Sequence, residues 1–501
     1  MKINLKTSKP PLGSAVCLTW LAGLILAAGC AVGPNYHRPA ALPGTNALPA
    51  QFGDLSVSNL GNWKLAEPAA QIPRGAWWHI YQDAELDRLE TMTASNNQQI
   101  AVAIANFDEA RAAVKVAQAN FFPQITANPT ITRQRTSANG LASGNNNNLI
   151  SSSRTYNTFN VSADATWELD LFGRIRRQTE SAHAELAASA EDLRSLELSL
   201  QAEVAMDYFT LRSLDEESKL LNATVVAYQH ALELTQNRQK SGIADELDVA
   251  EAETQLRAAR AQIPATDLQR AQTRHALAVL CGEPATTFAL TPTSLGATNL
   301  PAIPVSVPSA WLESRPDISA AERRMAAANA NVGVAKTAFY PRLILSGSGG
   351  FQSVNASTLF DWPSHLWAVG PSLELPLFTG GLNHAQLESA KAAYYGAVAT
   401  YRQTVLTAFQ DVEDQLTAQY FLAYQLEEET AARDAARRAL AIANQRYKAG
   451  VEQYLDVITA ETTELTHEQT VIQLHGQRLA TSASLIKALG TSWNPEAPAP
   501  N

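Results

Sequence analysis

Two hydrophobic periods run along this chain, and each occurs twice. Where the period is two, Phe159, Val161, Ala163, Ala165, Trp167, Leu169 and Leu171 alternate with Thr158, Asn160, Ser162, Asp164, Thr166, Glu168 and Asp170. That alternation marks a strand with one apolar and one polar face. A weaker version sets Ile125, Ala127 and Ile131 between Gln124, Thr126, Asn128, Thr130 and Thr132. In the second half, Leu343, Leu345 and Phe351 oppose Ser346 and Ser348. Trp367, Val369, Leu373, Leu375 and Leu377 oppose Ser372 and Glu374. Pro123 and Pro341 end the segments before each pair. The pattern predicts strands over about 124–136, 155–171, 342–352 and 365–378, with Ser137–Ser153 and Gln352–Ser364 joining them as hairpins.

Elsewhere the period is helical and the runs are very long. No Pro or Gly lies between Arg174 and Arg238, roughly 65 residues or about 100 Å of helix. A second run, His384 to Lys448, contains only Gly396. Helices in globular proteins rarely exceed about 25 residues. Leu186, Leu193 and Leu200 are spaced as a coiled-coil seam, and the second run carries two seams, Tyr394–Tyr401–Ala408 and Val398–Val405–Val412. Two seams suit a helix with a neighbour on each side, as in the wall of a cylinder. Gly242 and Gly450 supply left-handed stops. Asp245 and Asp248, and Asp456 in the second copy, then sit where acids complement the start of a returning helix. The returning helices reach Gly282 and Gly490, and Pro264 predicts a kink in the first. Both turns are expected at the far end from the strands.

The second half repeats the first. Residues 111–125, ending Phe121-Phe122-Pro123, match residues 329–343, ending Phe339-Tyr340-Pro341. Trp167-Glu-Leu-Asp-Leu-Phe172 matches Leu373-Glu-Leu-Pro-Leu-Phe378, and Arg238-Gln-Lys-Ser-Gly242 matches Arg446-Tyr-Lys-Ala-Gly450. Glu253-Thr254 matches Glu461-Thr462. The expected organisation is a signal segment 1–29, a tether 30–75 and a first repeat 76–282 with helical hairpin 174–282. A linker 283–312, a second repeat 313–490 with hairpin 382–490, and a tail 491–501 follow. The fold class is mainly α, internally duplicated, with very long antiparallel helices and a share of β-sheet. The strands fit either a soluble sandwich with one wet face or a membrane barrel, apolar outside and polar inside. Four strands do not close a membrane barrel, which needs about eight. Lipid tolerates no open edge, so a barrel here requires several chains.

Composition narrows the choice. The 501 residues carry 38 Lys and Arg against 48 Asp and Glu, a net charge of −10. That balance excludes a nucleic-acid binder. A mean hydropathy of −0.14 excludes a helical multispan protein, but not a barrel, whose apolar residues are hidden in alternation. The three cysteines form no disulfide framework and no zinc site. Cys281 reads as a helix-end packing residue. At the N-terminus, Lys2, Lys6 and Lys9 precede the apolar run Val16–Ala28 and then Ala27-Ala28-Gly29-Cys30. These features read as a lipoprotein signal with cleavage before Cys30 and acylation of its thiol. Ala31 in the next position favours outer-membrane sorting.

With these residues in view, the sequence resembles the outer-membrane efflux channels of the TolC-like, NodT/OprM lipoprotein type. The carrying motifs are Cys30-Ala-Val-Gly-Pro-Asn-Tyr-His-Arg-Pro39, Trp77-Trp78, Trp167-Glu-Leu-Asp-Leu-Phe-Gly-Arg174, Arg315-Pro-Asp-Ile318, Ala321-Glu-Arg-Arg324 and Arg446-Tyr-Lys-Ala-Gly450 with Tyr454-Leu-Asp-Val457. The resemblance implies a homotrimer with a twelve-stranded barrel in outer-membrane lipid and a periplasmic α-barrel below it. It implies a passive exit duct of a tripartite efflux pump, opened through a periplasmic adaptor. The energy would come from an inner-membrane pump, most fittingly of the resistance–nodulation–division class. The outer-membrane component of type I protein secretion is the alternative. Gly242, Leu247, Asp248, Gly450, Leu455 and Asp456 fall where the family's tips meet the adaptor. Tyr447 and Asp456 fall where relatives line the closed aperture, and a ring of three Asp456 carboxylates would attract cations. No cofactor is implied beyond the N-acyl and S-diacylglycerol lipid at Cys30. No HExxH, Gly-x-Ser-x-Gly or P-loop is present, so no enzyme is expected. His467 and His475 are expected to face solvent.

Overall fold

The computed structural model describes residues 31–39, 75–137, 155–293, 295, 300 and 315–490. The expected signal segment, Cys30, the tether from residue 40 to 74, most of the loop 137–153, much of the linker 283–312 and the tail 491–501 lie outside these residues. Along the described chain run a short 3-10 turn at Trp77–Tyr81 and the helices α1 (Ala84–Asn96) and α2 (Gln98–Ala119). Strands β1 (Gln124–Arg135) and β2 (Thr155–Leu169) precede α3 (Arg174–Lys240) and α4 (Glu246–Leu280). The second copy follows as α5 (Pro316–Thr337), β3 (Arg342–Ser353), β4 (His365–Glu374), α6 (Leu382–Lys448) and α7 (Tyr454–Leu489). Helices α3 and α6 have 67 residues each. None of the described helices is long and apolar enough to cross a membrane. Pro264 lies inside α4 without ending it.

The chain divides into two compact units. One takes its described residues from 31–39, 108–188 and 322–399. Its centre is an antiparallel sheet in the order β1-β2-β3-β4. The register places like with like. Apolar rows run Ile125, Ala165, Gly347, Val369 and Leu169, Leu343, Leu373. Polar rows run Thr126, Asp164, Ser348 and Thr130, Asn160, Gln352. On the polar face Asn128 Nδ2 donates to Asp164 Oδ2 at 2.7 Å. On the apolar face Ile131 is 76% and Trp367 73% exposed. Among the described residues β1 and β4 each pair along one side only, leaving two open edges.

Both expected β-to-helix junctions run past the sheet. β2 stops at Leu169 because Asp170 caps the next helix, accepting from the Ile175 N–H at 3.1 Å and the Arg176 N–H at 3.0 Å. β4 stops at Glu374 because its partner begins at Arg342, directly after Pro341, which has no N–H to give. Residues 31–39 lie along this unit. The Val32 N–H donates to Phe172 O at 3.0 Å, Arg177 to Asn35 at 3.0 Å and Tyr36 to Glu322 at 2.5 Å.

The other unit takes its described residues from 75–107, 189–321 and 400–490. Trp77, Tyr81, Leu86, Leu89, Phe209, Leu277, Leu479 and Ile486 share one core cluster. The Tyr81 hydroxyl bonds Ser482 Oγ at 2.6 Å. Cys281, at the C-terminal end of α4, is buried in that cluster. Arg315 ties the start of α5 to the end of α7. It donates to Asp317 at 2.8 Å, to Asp411 at 3.2 Å and to Ala488 O at 2.7 Å.

Candidate functional site at the helical turns

The two hairpin turns, both in the second unit, use the same backbone bonds. Gly242 (φ 69°) donates to Gln239 O and Ile243 to Arg238 O, each at 2.9 Å. Gly450 (φ 76°) donates to Tyr447 O and Val451 to Arg446 O, each at 3.0 Å. Both are Schellman stops, and the left-handed residue is glycine because a Cβ is costly there. Ile243 and Val451, just past the glycines, are exposed.

Past the turns, α4 and α7 start side by side. Leu247 and Leu455, 62% and 51% exposed, flank an open groove of about 290 Å³ with Ala250, Glu251, Thr254, Gln255 and Ile458. Gln255 donates to Thr462 at 2.9 Å across the two helices. Asp248 is half-buried, and Asp456 is exposed. Two apolar side chains at the rim of a groove, with carboxylates beside them, make a surface that can receive a partner of matching shape.

Tyr447 is buried within its own chain. Its ring meets that of Tyr454 at 5.3 Å, and the Arg238 guanidinium lies over it at 4.3 Å. Ala252, Val457 and Ile458 complete the cluster, with Leu232, Leu440 and Ala443 against it. The Tyr447 hydroxyl is buried with no hydrogen-bond partner among the described residues. Burial pushes the Tyr454 hydroxyl well above its usual range. Sequence reasoning quoted Tyr454 and Arg238 as motif and repeat residues but gave them no role at the turn. The repeat aligns Arg238 with Arg446 and Glu461 with Glu253, but nothing in it shows that Arg238 crosses to the other hairpin.

The two histidines depart from expectation. His467 is half-buried and bonds Glu429 at 2.7 Å. His475 is half-buried too, and burial lowers its pKa. Each sits on a helix face that packs against neighbours, which the sequence does not mark. Among the described residues no cluster of His, Cys, Asp or Glu could hold a metal ion.

Comparison with known proteins gives consistent results. The family model described as "Outer membrane efflux protein" matches residues 91–283 and 307–491. The outer membrane protein OprJ of Pseudomonas aeruginosa is 34% identical over 468 residues, covering 93% of each chain. The solved outer-membrane channel OprN superposes with a TM-score of 0.82 at 29% identity, covering 92% of this chain and 99% of that one. The open state of the Neisseria gonorrhoeae MtrE outer membrane channel gives a TM-score of 0.77 at 30% identity, covering 92% and 98%.

Proposed function

The chain belongs to the outer membrane efflux protein family, and from that premise we propose that three copies share one membrane barrel and form a passive exit duct. The protein is an outer-membrane efflux component. The observation that carries the trimer is the sheet, with one apolar face and two open edges. In lipid those edges must pair. β4 of one copy meeting β1 of the next removes them all, and three sets of four strands make a closed barrel of ordinary size.

The paired turns support the other end of the reading. A periplasmic adaptor docks in the groove between Leu247 and Leu455, with Gly242, Asp248 and Gly450 shaping its rim. Asp456, exposed on α7, faces the aperture and repels anions there. Tyr447 keeps that aperture closed indirectly, by fastening α6 to α7 and, through Arg238, to α3. Energy and most selectivity come from an inner-membrane pump of the resistance–nodulation–division class. Acylation at Cys30 holds the mature N-terminus at the membrane. The relatives are efflux components, so the protein-secretion reading is not carried further.

The test is electrical. Purified protein in planar bilayers is expected to conduct, and Asp456→Ala to raise single-channel conductance or weaken block by divalent cations. No change in either measurement removes Asp456 from the aperture. Crosslinking in isolated outer membranes is expected to yield a trimer, and a soluble monomer would end the duct reading.

A further inference from the structure

The buried face of α7 contains an acid. Tyr454, Val457, Ile458 and Leu465 are buried along that face, and Glu461 falls between Ile458 and Leu465 at helical spacing. Its Oε2 is buried and has no hydrogen-bond partner among the described residues. Tyr228 of α3 and Tyr454 of α7 feel its charge, which helps raise both hydroxyl pKa values after burial itself. The charges on the surrounding elements are engaged elsewhere. Glu464, one turn on, pairs with Arg437 of α6 at 3.3 Å, and Arg437 also holds Glu468. His467 pairs with Glu429 of α6. Arg238 of α3 lies over Tyr447. From α4, Asp248 acts on Tyr454, and Gln255 bonds Thr462. Among the described residues no cation compensates Glu461. The repeat counterpart, Glu253, is exposed and pairs with Arg257 at 3.2 Å.

Taking the duct reading as given, we propose that Glu461 is a proton-controlled latch: protonated, it lets the start of α7 pack on α3 and α6, and ionised, it loosens that packing and favours release of the second hairpin. Burial, then the charge of Glu464, lifts its pKa from 4.5 to about 7. Releasing α7 hydrates the carboxyl and returns it toward 4.5, so release and proton loss are linked. The release constant therefore rises with pH, by up to about tenfold per unit per subunit between those two values, and is level above them. An adaptor docking at the tip meets a hairpin that is easier to move at neutral than at acidic pH.

Thr235 of α3, beside the Tyr454 hydroxyl and 1% exposed, reports the seam. In full-length trimer carrying Thr235→Cys, the maleimide labelling rate is compared at each pH with that of the same protein carrying Glu461→Gln, which cancels the pH dependence of the reagent. The ratio is expected to rise about tenfold or more from pH 5.5 to 7.5. A flat ratio overturns the latch, whatever its value. Glu461→Leu, which also removes the ionisable group, is expected to give the same rising ratio when used as the reference in place of Glu461→Gln, and a flat ratio against either variant overturns the proposal. Bilayer conductance of the unsubstituted trimer separates the two readings. Its absence ends the duct, whereas conductance with a flat labelling ratio ends only the latch.

Discussion

In the first hairpin the returning helix is started by its own side chain. Asp245 caps α4, accepting from the Asp248 N–H at 2.9 Å. In the second hairpin Gln453 stands at the cap and its side chain makes no such bond. The start of α7 is held instead by packing, with Tyr454 against Tyr447 and Tyr447 under Arg238 from the first hairpin. Arg446, the counterpart of Arg238, stays in its own turn and pairs with Glu452 at 3.0 Å. The turns share their backbone bonds and differ in what secures them. A cap is local and survives movement of the whole helix. An aromatic seam is tertiary and is lost when the helices part. Under the proposed duct reading, the second hairpin is the one expected to be released.

The largest effect is expected at the seam. Tyr447→Ala removes a buried ring and leaves a cavity, costing about 3 kcal/mol, read as a lower thermal midpoint and faster proteolysis at the second turn. Gln239→Ala, the aligned position in the first hairpin, is expected to change stability by less than about 0.5 kcal/mol. Equal losses would break the comparison. Next in size is the pH dependence. Below pH 4.5 Glu461 is protonated in both folded and unfolded chains. From 4.5 to about 7 only the unfolded chain ionises, so stability falls across that window and levels off above it. Glu461→Gln is expected to flatten the thermal midpoint over this range. Smaller still is the cap. Asp245→Ala is expected to cost about 1 kcal/mol and Gln453→Ala close to nothing, while Gln453→Asp is expected to gain up to about 1 kcal/mol, all by denaturant titration. The smallest is Tyr447→Phe, which deletes a buried hydroxyl without a partner. It is expected to be neutral or slightly stabilising, and a loss above 1 kcal/mol would show that the hydroxyl has a partner in the assembly.

Much of this was legible along the chain because its signals are local. The strand alternation around Phe159–Leu169 depends only on which residues share a face, and the stops at Gly242 and Gly450 only on which residue tolerates positive φ. The acids after each turn were visible for the same reason. The ends of β2 and β4 were not. The alternating pattern continues past Leu169 and Glu374, and what ends the strands is a cap on the next helix and the lack of a partner. The histidines misled because a solvated and a packed helix face can carry the same residue.

The duplication, the order of elements, the two faces of the sheet and the position of the turns can all be read along the chain. These follow from periodicity and from the backbone preferences of Gly and Pro, which act over a few residues. Packing between helices set the rest: Arg238 crosses to Tyr447, Tyr447 is buried while Asp456 is exposed, and among the described residues the buried Glu461 Oε2 has no partner where Glu253 has Arg257. Those outcomes depend on which helices pack together. Burial sets the cost of a charge and the worth of a ring, and two residues matched by the repeat can meet opposite surroundings.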